Sequence, residues 1–145
     1  MFQRLLVPTD GSDLSNKAVT AALDLARRTN GSIVGLCVSH PYPYSPLSEG
    51  GMVADAVGYE NRSLEIAHDH VEQLRAAAES AQVPCEVVVV KSFDPYKEII
   101  DVAKKKECDA ICMGSHGRHG LSRLLLGSET QKVLLNADIP VIVCK

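Results

Sequence analysis

Ala110-Ile111-Cys112-Met113-Gly114-Ser115-His116-Gly117, followed after nine residues by Gly127-Ser128, is the stretch whose reading decides the fold. The apolar run reads as a buried strand, the glycines punctuate its end, and Glu129, Thr130, Lys132, Val133 and Leu134 follow a helical pattern. A strand that turns through glycine into a helix gathers free N–H groups and the positive end of the helix dipole at one point, which favours an anion. Glycine lets the main chain approach an oxygen closely or take positive φ, and Ser128 can cap the helix or donate its hydroxyl to a phosphate. A plain glycine-bearing loop with an ordinary serine cap fits the same residues, so the motif alone divides evenly between the two readings.

Outward from this stretch, short β-branched runs alternate with longer helical faces, with no internal repeat and no linker-like break. The strand candidates are Arg4 to Pro8, Ser32 to Ser39, Cys85 to Lys91, Ala110 to Met113 and Val141 to Cys144. Ala18, Ala21, Ala22, Leu25 and Ala26 form the first helical face, closed by Asn30-Gly31; Leu64, Ala67, Val71, Leu74, Ala78 and Ala81 form the second. The third presents Tyr96, Ile99, Ile100 and Ala103 after Asp94-Pro95, with Asp94 as the expected cap. Continuous runs such as Val87 to Val90 and Ile139 to Val143 suit strands covered on both faces, so the class is α/β, a doubly wound parallel sheet. His40 to Gly58, with three prolines, three glycines and no sustained period, reads as a long connection: a surface loop or a lid over a ligand.

At 145 residues the chain is read as a single domain, residues 1–145. Its 46% hydrophobic and 23% charged content describes an ordinary globular protein, and a net charge of -3 argues against nucleic acid or an anionic membrane as partner. No signal peptide or membrane-spanning stretch is visible, so a cytoplasmic location is expected. The five cysteines form no C-x-x-C pair and read as reduced, buried thiols, with Cys108 and Cys112 as packing residues. His68 and His70 diverge on a helix and read as solvated, and Leu121, Leu124 and Leu125 read as a core stripe.

Ligands of open parallel sheets bind beyond the carboxyl ends of the strands, where adjacent connections leave for opposite faces. The first strand candidate ends in Pro8-Thr9-Asp10-Gly11-Ser12 and the fourth in the glycine loop. If these strands are neighbours, Asp10 faces the loop and can accept from ribose hydroxyls or help hold a phosphate-bound metal; a turn or helix-start role suits it equally.

The order Leu6-Val7-Pro8-Thr9-Asp10-Gly11-Ser12, Leu36-Cys37-Val38, G-x-x-G-x9-G-S and Pro140-Val141-Ile142-Val143 resembles the universal stress protein family over nearly the whole chain, in the branch that binds ATP. The resemblance implies a five-stranded parallel sheet in the order 3-2-1-4-5 with helices on both faces. It implies that the main chain of Val38 meets the adenine, that Pro8 and Thr9 line base and ribose, and that Asp10 lies near the ribose or a metal. Gly114, His116, Gly117 and Arg118 would line the phosphate path, closed by Gly127, Ser128, Glu129 and Thr130, and Met113 belongs to the same cofactor-binding set. The cofactor implied is ATP, or AMP or ADP, with Mg or Mn. A homodimer through Val141 to Cys144 is implied too, that strand being a sheet edge in this order. The function expected is a nucleotide-dependent sensor or regulator in stress response; a slow ATP hydrolase and an AMP-binding interaction module are the alternatives. The chain has neither a P-loop lysine motif nor a G-x-G-x-x-G fingerprint, and no convincing set of base and cationic groups for fast phosphoryl transfer.

Overall fold

The computed structural model describes residues 1–43, 53–117 and 125–145. Strands and helices alternate: β1 (Arg4–Pro8), α1 (Asp13–Thr29), β2 (Ser32–Ser39), α2 (Val53–Ser80), β3 (Cys85–Lys91), α3 (Pro95–Lys105), β4 (Ala110–Gly114), α4 (Ser128–Asn136) and β5 (Val141–Cys144). All strands run parallel in the order β3-β2-β1-β4-β5, as the resemblance implied. No helix among the described residues is long and apolar enough to cross a membrane.

Alternation along the strands sorts the core into two layers. Leu5, Val7, Ile33, Ala110 and Cys112 pack beneath α1 and α2 against Ala18, Ala22, Ala26, Leu74 and Ala78. Leu6, Val34, Leu36, Ile111 and Met113 pack beneath α3 and α4 against Ile99, Val102, Ala103 and Val133. The connection leaving β1 therefore goes to one face and that leaving β4 to the other, while Leu5 and Leu6 pair directly with Ala110 and Ile111. This boundary is where an open α/β sheet opens a crevice.

Several local expectations are corrected. Val87 to Val90 and Ile139 to Val143 do not lie in doubly covered strands: β3 and β5 are the two sheet edges and their residues are only partly buried. An apolar β-branched run has the same composition at an edge as at the centre, so the pattern does not separate them. In α1 the buried stripe adds Val19 and Leu23, while Ala21 is exposed. Helix α2 starts at Val53, well inside the expected irregular stretch, and Leu64 is exposed on it. Its first turns are anchored by Glu60, which accepts from the Tyr42 main-chain N–H at 3.1 Å and from Lys91 at 2.9 Å, and by an edge-on Tyr42–Tyr59 contact. Residues 44–52 of the expected loop lie outside the described residues, as do Leu121 and Leu124; Leu125 is exposed, so it does not belong to a core stripe. Asp94 makes no capping hydrogen bond and binds Lys97 instead.

Candidate functional site

Beyond the ends of β1 and β4 the chain brings two turns face to face. The first runs through Asp10-Gly11-Ser12 into α1. Ser12 caps that helix by accepting from Ser15 N–H at 3.2 Å, and Asp10 Oδ1 accepts from Ser12 N–H at 2.9 Å. Gly11, at φ 75°, is the one described glycine with positive φ, and the His70 ring of α2 lies where a Gly11 side chain would stand. His70 is therefore a packing partner of this turn, not a solvated residue. The turn is held from below by hydroxyls: Thr9 Oγ1 accepts from Gly11 N–H at 3.2 Å and meets Ser15 Oγ at 3.3 Å, and Ser15 Oγ donates to the Ser12 carbonyl at 2.9 Å.

The second turn follows β4. Ser115, buried at 2% exposure, donates its N–H to the Cys144 carbonyl at 2.7 Å and accepts from Gly127 N–H at 2.8 Å. This residue, absent from the expected site set, ties the loop to both β5 and the start of α4. A buried serine between glycine and histidine carries no pattern that would single it out. His116 places Nδ1 3.0 Å from Ser115 Oγ, and its Nε2 is buried with no hydrogen-bond partner among the described residues.

The glycines do three different jobs. A Cβ on Gly114 would lie 3.0 Å from the Leu14 carbonyl carbon, so this position admits the first turn of α1 against β4. A Cβ on Gly127 would lie 3.1 Å from the Ser115 carbonyl oxygen and 3.2 Å from His116 Cα, so this glycine closes the loop on itself. Gly117 is exposed, and a Cβ there would lie 2.7 Å from Asp10 Oδ2. Only Gly117 thus opens toward Asp10 across the crevice. None of the three has positive φ, so close approach alone explains them.

At the helix start, Gly127 rather than Ser128 is the N-cap, with φ -60° and ψ 148° and no side-chain cap; Ser128 is the first helical residue. Thr130 is buried, and its hydroxyl donates to the Gly114 carbonyl at 3.0 Å. Glu129 accepts from Tyr96 N–H at 2.9 Å and from Lys132 at 3.0 Å. Its carboxylate therefore caps α3, replacing the cap Asp94 does not supply, and is engaged away from a phosphate path. Arg118 lies outside the described residues.

On the far wall, β2 runs past the end of β1. The Leu36 carbonyl accepts from Thr9 N–H at 2.8 Å, and Val38, two residues on, presents its main chain to the same side where β1 has ended. Side chains of Pro8 and Val38 are half-buried and Met113 is buried beside Leu36, on the α3–α4 side. Thr9 is the exception among the expected pocket residues: its side chain turns to α1 and lines a cavity of about 170 Å³ with Asn16, Thr20, His70 and Gln73. Among the described residues no group of three His, Cys, Asp or Glu converges as a metal cluster.

Comparison with known proteins gives one family. The model described as "Universal stress protein family" matches residues 1–145. Universal stress protein YxiE of Bacillus subtilis is 32% identical over 149 residues, covering 100% of both chains. The structure of universal stress protein UspA from Lactobacillus plantarum superposes with a TM-score of 0.86 at 25% identity, covering 99% of this chain and 98% of that one. A universal stress protein from Archaeoglobus fulgidus, solved in complex with dAMP, shares the fold with a TM-score of 0.60 at 20% identity over 99% and 98% of the two chains.

Proposed function

The chain belongs to the universal stress protein family, and from that membership and the crevice geometry we propose that it binds an adenine nucleotide, ATP foremost, as a nucleotide-dependent sensor or regulator in stress response. The observation that carries the reading is the meeting of Asp10 with Gly117 at the β1/β4 boundary, where any larger residue would fill the gap. The α4 N-terminus, opened by Gly127 without a side-chain cap, adds N–H groups suited to phosphate. The main chain of Val38, beyond the last β1–β2 pair Pro8–Leu36, suits the base, and the buried His116 Nε2 offers a further polar contact. The dAMP complex of the related fold supports an adenine nucleotide as the ligand class.

A divalent ion fits this site only through the nucleotide. Asp10, whose Oδ2 faces Gly117 across the crevice, is the carboxylate placed to meet Mg or Mn together with phosphate oxygens, the sparse protein ligation Mg tolerates. Glu129, held by Tyr96 and Lys132, is left out of the proposed ligand set, and Thr9 contributes its main chain rather than its hydroxyl. Titration calorimetry with ATP and Mg, run beside phosphate release, tests the reading. Saturable 1:1 binding with turnover far below the roughly 10 per second of a median enzyme is expected. Absence of binding refutes it, and turnover at ordinary enzymatic rates lost in Asp10→Ala transfers the site to a hydrolase.

The partly buried edge strand β5 also suits pairing with a second copy, beside the exposed Leu134 and Leu135 of α4. A monomeric mass by light scattering would refute that assembly.

A further inference from the structure

Two thiols meet on the sheet face away from the crevice wall. Cys112 of β4, 1% exposed, and Cys144 of β5 place their Sγ atoms 4.0 Å apart beneath α1, where Cys112 also donates to the Ala18 carbonyl at 3.5 Å. We propose that Cys112 and Cys144 form a two-sulfur site for trivalent arsenic of the arsonous or arsenous acid class.

Strand register decides against the obvious alternative, a disulfide. Cys112 pairs with Ile142, so Cys144 stands two residues further along the neighbouring strand. Parallel-strand spacing then separates the two Cα atoms by about 8 Å, beyond the roughly 7 Å that a disulfide bridges without backbone movement. A single thiophilic atom needs less. With bonds to sulfur of about 2.3 Å, as for zinc, a pyramidal centre with an S–X–S angle near about 100° draws the two sulfurs to about 3.5 Å, roughly half an ångström inside their resting 4.0 Å and within reach of side-chain rotation. Both side chains lie on the α1 side of the sheet, so the strands need not shift.

The surroundings select the chemistry. No third His, Cys, Asp or Glu joins the pair among the described residues, which disfavours ions that require four protein ligands. The site is apolar, packed on Leu5, Val7, Ala18 and Ala110, so a neutral product is preferred to a charged one. Burial pushes the Cys112 thiol up to about 12, so it stays protonated at neutral pH. An arsonous acid suits both conditions because its own hydroxyls take up the protons: R–As(OH)₂ + 2 R′SH → R–As(SR′)₂ + 2 H₂O. Two As–S bonds form, two As–O bonds break, no electron is transferred and no charge is left behind. Soft sulfur ligands favour such a centre, and Cys144, partly exposed in the edge strand, gives it entry.

Phenylarsine oxide, hydrated to the arsonous acid in water, is the probe. The reduced protein is expected to bind one equivalent, to show two fewer titratable thiols in denaturant, and to melt at a higher temperature because the native state holds the ligand. Cys144→Ser, the milder change, and Cys112→Ser should each weaken binding about a hundredfold by removing the second tether; Cys108→Ala, which alters an isolated buried thiol, should not. Equal binding in the Cys144→Ser protein, or a lowered melting temperature in the parent, would overturn the site. So would a Cys112–Cys144 disulfide formed by dilute peroxide in the native protein.

Discussion

The two ends of the sheet are used in opposite ways. At the amino ends of the strands, charges and amides close on one another. The main-chain N–H groups of Gln3 and Arg4 donate to Asp109 at 2.8 and 3.2 Å, and Arg4 reaches both the Lys106 carbonyl at 2.7 Å and Glu86 at 2.9 Å. Lys106 binds the other Glu86 oxygen. At the carboxyl ends, groups are aimed across a gap instead: Asp10 toward Gly117, the Val38 main chain past the end of β1, and His116 Nε2 buried without a partner among the described residues. Buried or half-buried polar groups ordinarily find partners within the chain. An end where they do so stabilises the fold, and an end that keeps a buried atom such as His116 Nε2 without a partner among the described residues is the place to look for a ligand.

The largest test of that contrast separates two glycines of one loop. Gly127→Val would force a branched Cβ against the backbone of Ser115 and His116, and should destabilise the protein by about 1–3 kcal/mol. Among the described residues Gly117→Val meets only the Asp10 carboxylate, at an exposed position, so melting should be unchanged while ATP binding falls about tenfold or more, near 1.4 kcal/mol. Melting curves paired with calorimetry check both. If Gly117→Val unfolds the protein, or leaves affinity intact, the loop is structural throughout and the contrast between the two ends fails.

What was legible in the sequence follows from the same division. Alternating runs of strand and helix period identified every element, and glycine spacing located the loop, because both signals are local. The tasks of individual residues were not legible, because they depend on partners far away in the chain. Glu129 looked like part of a phosphate site until Tyr96 N–H, 33 residues earlier, was found to hold its carboxylate. Gly114 carried the same motif letter as Gly117, yet its neighbour is the α1 backbone at Leu14. The Thr9 hydroxyl turns inward simply because β1 alternates, placing residues 5, 7 and 9 toward α1. His70 gave no signal at all, since only the fold brings it to Gly11.

The amino-end network offers a smaller test, through pH. The Lys106 hydrogen bond, then the Lys106 and Arg4 charges, hold the Glu86 carboxyl below its ordinary value of 4.5. A depressed carboxyl contributes stability that is fully present above its unfolded value and is lost as pH falls through the folded one. Glu86→Gln should therefore lower the melting temperature modestly at pH 7, since Glu86 is 41% exposed and solvent screens the pair. It should also flatten the fall in melting temperature below pH 4.5, leaving the part contributed by Glu60, whose carboxyl Lys91 depresses in the same direction. A parallel acid limb in parent and variant would show that the network adds nothing to folding. Nucleotide affinity should not change, because the cluster sits at the far end of the sheet.

The smallest expected effect is the most discriminating about where the ligand lies. Ser39 ends β2 beside Val38, is 3% exposed, and its Oγ has no hydrogen-bond partner among the described residues. Proximity to the crevice would make it a ligand contact, but alternation does not. Gly35 and Cys37 face α2, against Leu74 and against Ala67 and Val71, and Ser39 continues that side, whereas Pro8, Val38 and Met113 face α3 and α4. An unsatisfied buried hydroxyl costs about 1–3 kcal/mol, so Ser39→Ala should leave stability unchanged or raise it by up to about 1 kcal/mol, with ATP affinity unaltered. Thr130→Val is the counterpart: its hydroxyl is bonded to the Gly114 carbonyl, and its loss should cost about 1 kcal/mol. Denaturant titrations and calorimetry on the pair decide the matter. Reduced ATP affinity in folded Ser39→Ala protein would move the ligand to the α2 side of the sheet and dissolve the crevice as drawn between Asp10, Gly117 and Val38.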